Sequence, residues 1–591
     1  MRLKNEIKCD VLVMGAGIAG IMAAISAAEA GADVCIVSGT RICSGSSFYP
    51  GTWGLGLVGP ESEADEEDLK SVILKVGEGM ADPELVSVLV SHIRRGTDRL
   101  KAFGIQLKEA ENKGEKEFIP CFDYKNRDWH GIVKDSAREV FLARLEELGV
   151  RCFPSTRILQ FIMTDGRVSG AAALTEKGGL TAFSCKSLVV ASGGLGGLFQ
   201  YRLNTDDVTG CGQYLALRAG AKLVNIEFMQ MMPGYLSPAP KTIYNEKVFK
   251  YSNFCRQETG RSIFEDWRKA DLEERMEVRS THGPFTTRLP SAPVDIRLFT
   301  EFLRNPRGVT VTYRESLREN QPEFIRTYFE WLKEEKHLTI DDPIQLGIFA
   351  HASNGGIRIG PDGSTGVPGL YACGEATGGM HGADRLGGLS TANGLVFGEI
   401  AGKAAAGWSS SISGPEEEWA EVLLSVIPNA ASYLKQIQEM NFECAMVIRN
   451  GARAELALNR LERIKELCRC EAGYLETGDG TAGLAVSCRL TAALYLSETI
   501  LPVYSAVSLK RFFFSGKAPG NHVRTKAGES VLHKRRKEKE KMAIRQLRYQ
   551  EDEILRKKCK KVAQVDDKIR LYLEDMMDTL HASGNGAALA A

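Results

Sequence analysis

The sequence predicts an α/β protein with a Rossmann-like domain made of discontinuous segments, an inserted α+β capping domain and a C-terminal helical domain. Three observations predict it. Residues 10–37 read as strand, glycine turn, helix and strand in close succession. Two further strand-to-glycine segments, LVVASGGLGG (188–197) and GLYACGEATGG (369–379), stand far apart in the chain. Apolar helical patterns follow the turn-rich SSSISGPEEE stretch near residue 411. At 591 residues the chain is too long for one core and implies several domains.

The first unit is the most informative. DVLVMG is a short apolar strand, GAGIAG places Gly15, Gly17 and Gly20 at the turn, and ADVCIV is the second strand. The first glycine makes the tight turn, the second lets a pyrophosphate approach the backbone, and the third packs helix on strand. The helix N-terminus adds free N–H groups and partial positive charge, so the unit predicts a bound dinucleotide. The second strand ends in Ser38 where an acidic ribose partner is usual, so that residue does not separate FAD from NAD. The late returns of the chain at 188–197 and 369–379 decide for a long, extended FAD. The candidate cofactor contacts are Gly15, Gly17, Ala19, Gly20, Ser38, Ser44, Ser46, Ser192, Gly193, Gly374, Glu375, Ser390 and Leu395.

Composition narrows the function class. Lysine plus arginine equals aspartate plus glutamate, 75 against 75, which argues against nucleic acid as a partner. The charge is uneven, however, and residues 534–561 are strongly basic. They read as solvated or coiled helices, with docking to an electron-transfer partner or an anionic membrane surface as the sharper alternative. The 14 cysteines show no CxxC and no metal or cluster spacing, so reduced thiols and no metal are expected. No uninterrupted apolar run reaches the roughly 18 residues that span a bilayer, and the N-terminus reads as a strand, so a cytoplasmic protein is expected.

The assembled motifs resemble the succinate dehydrogenase/fumarate reductase flavoprotein family, which includes L-aspartate oxidase. HASNGG (351–356) is similar to the family's HYxxGG, HGADRLGG (381–388) to HGANRLGG, IEFMQMMP (226–233) to EFxQFHP, and GSSFYPG (45–51) to the GSTFYAQG of aspartate oxidases. ALYLSETILPVYSAV…GNHVR (493–524) resembles the family's C-terminal helical domain. The resemblance implies an FAD-binding domain over 1–240 and 345–410, a capping domain over 241–344, a helical domain over 411–528 and a charged tail over 529–591. It also implies that Arg385 and His351 bind a substrate carboxylate over the flavin. A guanidinium offers a planar, permanently charged fork that suits this task. The neighbouring glycines are read as leaving the flavin face open. The alternative for Arg385 is a structural pair with Asp384 or Glu375.

Several family positions are not kept. The EFxQFHP histidine falls on Met232, which cannot donate a hydrogen bond. The family's proton-donating arginine falls on Phe285, with Arg288 three residues on, and the TEGxRGEGG segment falls on SNFCRQETG, where Arg256 survives. Arg256 and Arg288 are therefore retained as catalytic candidates. The position where dehydrogenases tether FAD falls on Gly45, so the FAD is expected to be noncovalent. An apolar wall from Met231, Met232, Tyr235 and Phe285 predicts a carboxylic acid other than fumarate, its C–C bond exchanging hydride with the flavin. Amine oxidation of the aspartate-oxidase kind and an electron-transfer or scaffold flavoprotein remain as alternatives.

Overall fold

The computed structural model describes residues 2–319, 321–414, 419–449, 451–474 and 483–511. The expected charged tail over 529–591 and the GNHVR motif lie outside the described residues.

The core is an eight-stranded mixed sheet. It is built from β1 (Arg2–Met14), which leads into helix α1 (Ile18–Glu29), then β2 (Val34–Val37), β3 (Arg151–Phe153), β4 (Arg157–Thr164), β5 (Arg167–Leu174) and β6 (Leu180–Val190). The order is β3-β2-β1-β6-β5-β4. β1 runs parallel to β2 and to β6, with Val13 opposite Ile36 on one side and Val189 on the other. Continuous apolar runs suit strands covered on both faces. Helix α2 (Cys211–Arg218) follows the turn after β6.

Strands β7 (Met229–Ser237), β8 (Ser252–Arg256), β9 (Val309–Tyr313) and β10 (Ile344–Ser353) form a second, antiparallel sheet in the order β7-β10-β9-β8. The chain then re-enters the main sheet. β11 (Leu370–Ala372) pairs with the end of β6, which aligns the Gly374–Glu375 turn beside the Ser192–Gly193 turn. Helix α3 (Leu389–Ser411) comes next, and β12 (Trp419–Glu421) pairs with the start of β1.

Helix α3 lies against α1 through a glycine every fourth residue. A Cβ at Gly394 would come 2.9 Å from Ile18 Cγ2, at Gly398 2.7 Å from Ala19 O, and at Gly402 2.2 Å from Ala23 O. Only hydrogen at these positions allows the two backbones to meet so closely. The approach holds the start of α3 beside the dinucleotide turn.

The C-terminal part of the described chain is helical: α4 (Ala430–Ala445), α5 (Gly451–Glu471) and α6 (Leu484–Arg511). One expectation changes here. The segment Leu484–Tyr504 is long and apolar enough to cross a membrane, with mean hydropathy 1.3. Arg489 and Glu498 interrupt its apolar run, which is why run length alone did not detect it. More than half of it is buried, and its Leu490, Leu494, Leu496 and Leu501 belong to the same apolar core as Leu434 and Ile437 of α4. It reads as the core helix of the bundle.

Candidate active site

A cavity of about 430 Å³ runs from the dinucleotide turn to Arg385. It is lined by Gly15, Gly17, Ser38, Ser44, Ser192 and Gly193, and also by His351, Arg385, Met232, Tyr49, Trp53 and Ile243. Ala19, Ser46, Gly374, Glu375 and Ser390 also line it. The structure thus gathers most of the predicted cofactor residues in one place. Gly20 and Leu395 do not line it. A Cβ at Gly20 would come 1.9 Å from Gly15 O, so its role is helix packing. Leu395 is 1 % exposed and packs on Gly96 of the helix Pro83–Phe103.

The three turn glycines have different reasons to be glycine. A Cβ at Gly15 would sit 2.2 Å from Ala191 O, which the fold forbids. A Cβ at Gly17 would meet only Ser44 O and Ser47 Oγ, both at 3.5 Å, an ordinary contact. The protein has no packing need for glycine there, and a bare backbone at a helix N-terminus fits a pyrophosphate. Ser192 Oγ is buried without a partner in the same wall. The free cradle and the unpartnered hydroxyl fit a dinucleotide. Ser38 caps the end of β2, donating to Arg41 O at 2.8 Å and pairing with Ser44 Oγ at 3.2 Å. Gly45, at φ +71°, also lines the cavity.

Glu375 is fixed by the protein. Its Oε1 accepts the Ser353 N–H at 2.9 Å. Burial pushes its carboxyl up, opposed by the Ser353 N–H, the Arg385 charge, Ser46 and the Gly194 N–H.

His351 owes its direction to a β-bulge. Gln230 faces Ala352 and Met231 faces Ala350, so His351 is the extra residue on β10. Bulges re-aim side chains in this way. Its Nδ1 is buried without a partner, and burial, reinforced by Arg385, pulls its pKa down to about 3. The ring is therefore neutral at ordinary pH. The glycines that follow it serve packing: a Cβ at Gly355 would come 2.0 Å from the Asn225 backbone and at Gly356 2.3 Å from Ala376 O.

Arg385 is only 9 % exposed. Its Nε donates to Gln230 Oε1 at 3.0 Å, and the same glutamine donates to Asp384 Oδ1 at 3.1 Å. Asp384 is committed elsewhere, since Arg288 Nη2 pairs with its Oδ2 at 2.9 Å. Among the described residues no carboxylate lies within ion-pair distance of Arg385, so neither structural pair considered for it is formed. Burial lowers its pKa, opposed by Glu375.

Other readings are corrected. Arg288 does not line the cavity; besides Asp384 it lies over the Phe122 ring at 5.0 Å. Arg256 is on β8, bound to Glu301 at 3.0 Å and Glu265 at 2.8 Å, away from the cavity. Of the expected apolar wall only Met232 faces the cavity. Met231 and Tyr235 point into the core beneath, where Tyr235 bonds Tyr328 at 2.8 Å, and Phe285 uses its N–H to bond Met231 O. The HGADRLGG glycines also pack: a Cβ at Gly387 would come 2.9 Å from Cys121 N, and Gly388, at φ +79°, would come 2.4 Å from Val58. The true wall residues Tyr49, Trp53, Leu203 and Ile243 went unpredicted. The one signal available was the aromatic pair in FYPGTWG.

Comparison with known proteins agrees with this geometry. The FAD binding domain family matches residues 10–391. A second family model, polypeptide deformylase, matches residues 544–591, outside the described residues. The L-aspartate oxidase of Saccharolobus solfataricus is 26 % identical over 77 % of this chain and 89 % of its own length. A fumarate reductase (CoM/CoB) subunit of Methanothermobacter marburgensis is 27 % identical over 78 % of this chain and 85 % of its own length. The solved structure of Mycobacterium smegmatis Sdh1 in complex with UQ1 shares the fold at TM-score 0.68 and 23 % identity, covering 84 % of this chain and 87 % of its own. With a dinucleotide cradle, a returning Gly-Glu turn and a family match over most of its length, the chain belongs to the FAD binding domain family and is a FAD-dependent oxidoreductase of the fumarate reductase/succinate dehydrogenase type.

Proposed function

We propose that the protein moves hydride between flavin N5 and the Cα–Cβ bond of a carboxylic acid held by a single charged anchor, Arg385, and that its FAD is noncovalent. The observation that carries this reading is the isolation of Arg385. It is a buried guanidinium lining the cavity, and its neighbouring acid is neutralised by Arg288. A desolvated cation without a carboxylate partner has a strong demand for an anion.

Bound FAD supplies hydride acceptance and donation. The chain's own residues do the rest. Arg385 grips the carboxylate while Gln230 fixes its orientation through Nε. Neutral His351 offers one hydrogen bond from a bulge-aimed ring. Met232, Tyr49, Trp53, Leu203 and Ile243 exclude water and receive an apolar portion of the substrate. The other cavity-lining guanidiniums are Arg157, beside Gly39 at the end of β2, and Arg489 of α6, and Arg288 is taken up by Asp384, so the reading leaves a second carboxylate without a cation among the described residues. Gly45 has no side chain with which to tether the cofactor. The fumarate reductase relative is named as one subunit of an enzyme, which supports a separate electron-transfer partner here.

The L-aspartate oxidase relatives favour amine oxidation as the second reading. An amino-acid ammonium needs a facing acid. The lining acids are Asp206, paired with Arg202 and Lys241, Asp207, which accepts from Thr40 Oγ1, and Glu375, whose Oε1 is held by Ser353. That reading is therefore the weaker.

Titration of the FAD-loaded protein with a short unsaturated monocarboxylate, the matching dicarboxylate and aspartate, followed by flavin absorbance, tests the assignment. The monocarboxylate should perturb the spectrum at the lowest concentration. A flat response to all three would favour the scaffold reading.

A further inference from the structure

The run FYPGTW (48–53) forms a strap in the cavity wall, where Tyr49, Thr52 and Trp53 stand together with Ile243. The strap is tied down from outside. Gly51 O accepts the Ile243 N–H at 2.8 Å, and the Tyr49 hydroxyl donates to Lys241 O at 2.5 Å. A Cβ at Gly51 would come 2.3 Å from Lys241 O, so the strap lies directly against segment 241–243. Trp53 meets Tyr328 edge-on, with ring centroids 4.9 Å apart, and Phe324 at 5.9 Å.

Two further carbonyls of the strap converge on one side chain. Lys134 Nζ donates to Tyr49 O at 2.9 Å and to Thr52 O at 2.7 Å. Lys134 is the first residue of the helix Lys134–Glu147. That is an unfavourable place for a cation, because a helix N-terminus carries partial positive charge. Among the described residues no carboxylate lies within ion-pair distance of Nζ, and the adjacent Asp135 is paired with Arg138 at 2.6 Å. The ammonium is therefore compensated by the strap's carbonyl dipoles. The Thr52 carbonyl belongs to the peptide that carries Trp53, and the Tyr49 carbonyl adjoins the Tyr49 side chain, so one clamp sets two wall residues.

We propose that Lys134 is a positioning residue that clamps the Tyr49–Trp53 strap and so fixes the wall against which the apolar end of the substrate acid is read. Lys134 itself does not line the cavity. The proposal rests on the reading that the cavity takes a carboxylic acid with an apolar portion. It carries a pH signature. Burial, reinforced by Lys336, pulls the Lys134 pKa down to about 8, with Asp135 and Glu335 opposing and Arg138 adding to the fall. Lys336 and Glu335 end the helix Glu323–Lys336, while Asp135 and Arg138 share the helix of Lys134. Tyr49, the one titratable side chain of the strap, stays protonated because burial pushes its phenol up. Below about pH 8 the clamp is charge-assisted; above it a neutral amine makes weaker bonds.

The test uses the full FAD-loaded chain and flavin absorbance, with acetate and trans-hex-2-enoate as probes. Acetate reads the carboxylate grip alone, and hexenoate adds an apolar end. Lys134→Met should keep its FAD and its acetate affinity but lose about tenfold or more in hexenoate affinity, because two strap carbonyls lose their donor. Lys134→Arg, which keeps a charge and several donors, should retain most of the hexenoate affinity. The wild-type preference for hexenoate over acetate should fall as pH rises from about 7 to about 9, and in Lys134→Arg it should stay level. An unchanged preference in Lys134→Met, or equal losses for both acids, would overturn the proposal. Should Lys134→Met fail to fold, the pH comparison decides, and a level wild-type preference refutes the clamp. A wild-type flavin that responds to neither acid would instead contradict the carboxylate reading itself.

Discussion

Replacing Arg385 by lysine separates charge from shape at the proposed carboxylate anchor. The structure sets the magnitude. Lysine, with a single nitrogen, cannot reproduce the Nε bond to Gln230 Oε1 at 3.0 Å and also offer the guanidinium's further donors to a carboxylate. Losing one charge-assisted hydrogen bond to a carboxylate costs about 1.5–3 kcal/mol, or roughly 10- to 150-fold in affinity. Burial adds to this. The site is 9 % exposed, and an ammonium there without an acid in contact tends to lose its proton, removing the charge as well. FAD content should be unchanged, because the substitution leaves the dinucleotide turn at Gly15, Gly17 and Gly20 untouched. The assay is flavin-monitored binding of a short unsaturated monocarboxylate to wild type and variant, with flavin stoichiometry measured on both. Wild-type affinity in the lysine variant, at full FAD content, would refute the single-anchor account.

Other outcomes follow from the same geometry. Gly17→Val should fold yet bind no FAD, because only ordinary contacts at 3.5 Å surround its Cβ while the branched side chain fills the pyrophosphate's approach; a folded variant with normal flavin content would contradict this. Gly20→Val should instead fail to fold, since its Cβ would overlap Gly15 O at 1.9 Å, and circular dichroism separates the two cases. Acid precipitation of the yellow protein should release all colour to the supernatant, and colour kept in the pellet would show a covalent link. His351 takes up a proton only near pH 3 when folded but at its ordinary value of 6.5 when unfolded, so the unfolded chain binds more protons between these values and stability falls as pH drops through that window. His351→Gln should make the loss shallower, as read from urea midpoints at neutral and mildly acidic pH; an unchanged slope would mean that the ring is not held neutral.

The parts of this molecule that were legible in the sequence are those governed by local rules. Gly15, Gly17 and Gly20 between two apolar strands imply a βαβ unit because each glycine has a backbone reason to be there. The return of the chain at Gly374 and Glu375 was legible for the same reason, and β11 joins the main sheet beside β6. What escaped depends on long-range packing. Arg256 looks like a site residue by motif, but Glu301 and Glu265, 45 and 9 residues away in sequence, hold it elsewhere. Met231 and Met232 are adjacent and chemically alike, and only strand pleat and the bulge at His351 decide which faces the cavity. Trp53 and Ile243 reach the cavity from loops whose approach no local pattern encodes.

The central claim is hydride exchange with an acid gripped at one carboxylate, and anaerobic rapid mixing tests it most directly. Protein with chemically reduced FAD is mixed with fumarate or with a short monocarboxylic enoic acid, and flavin reoxidation is followed. Among the described residues no second cation lines the cavity beside Arg385; Arg256 is tied to Glu301 and Glu265, and Arg288 to Asp384, so fumarate lacks a second anchor and an obvious acid. Loss of general acid catalysis alone is worth about 10²–10⁴-fold. Reoxidation should be faster with the monocarboxylate, with a saturated acid as product. Reoxidation by fumarate at about 10 s⁻¹ or more, typical of good enzymes, with no response to the monocarboxylate, would contradict the claim.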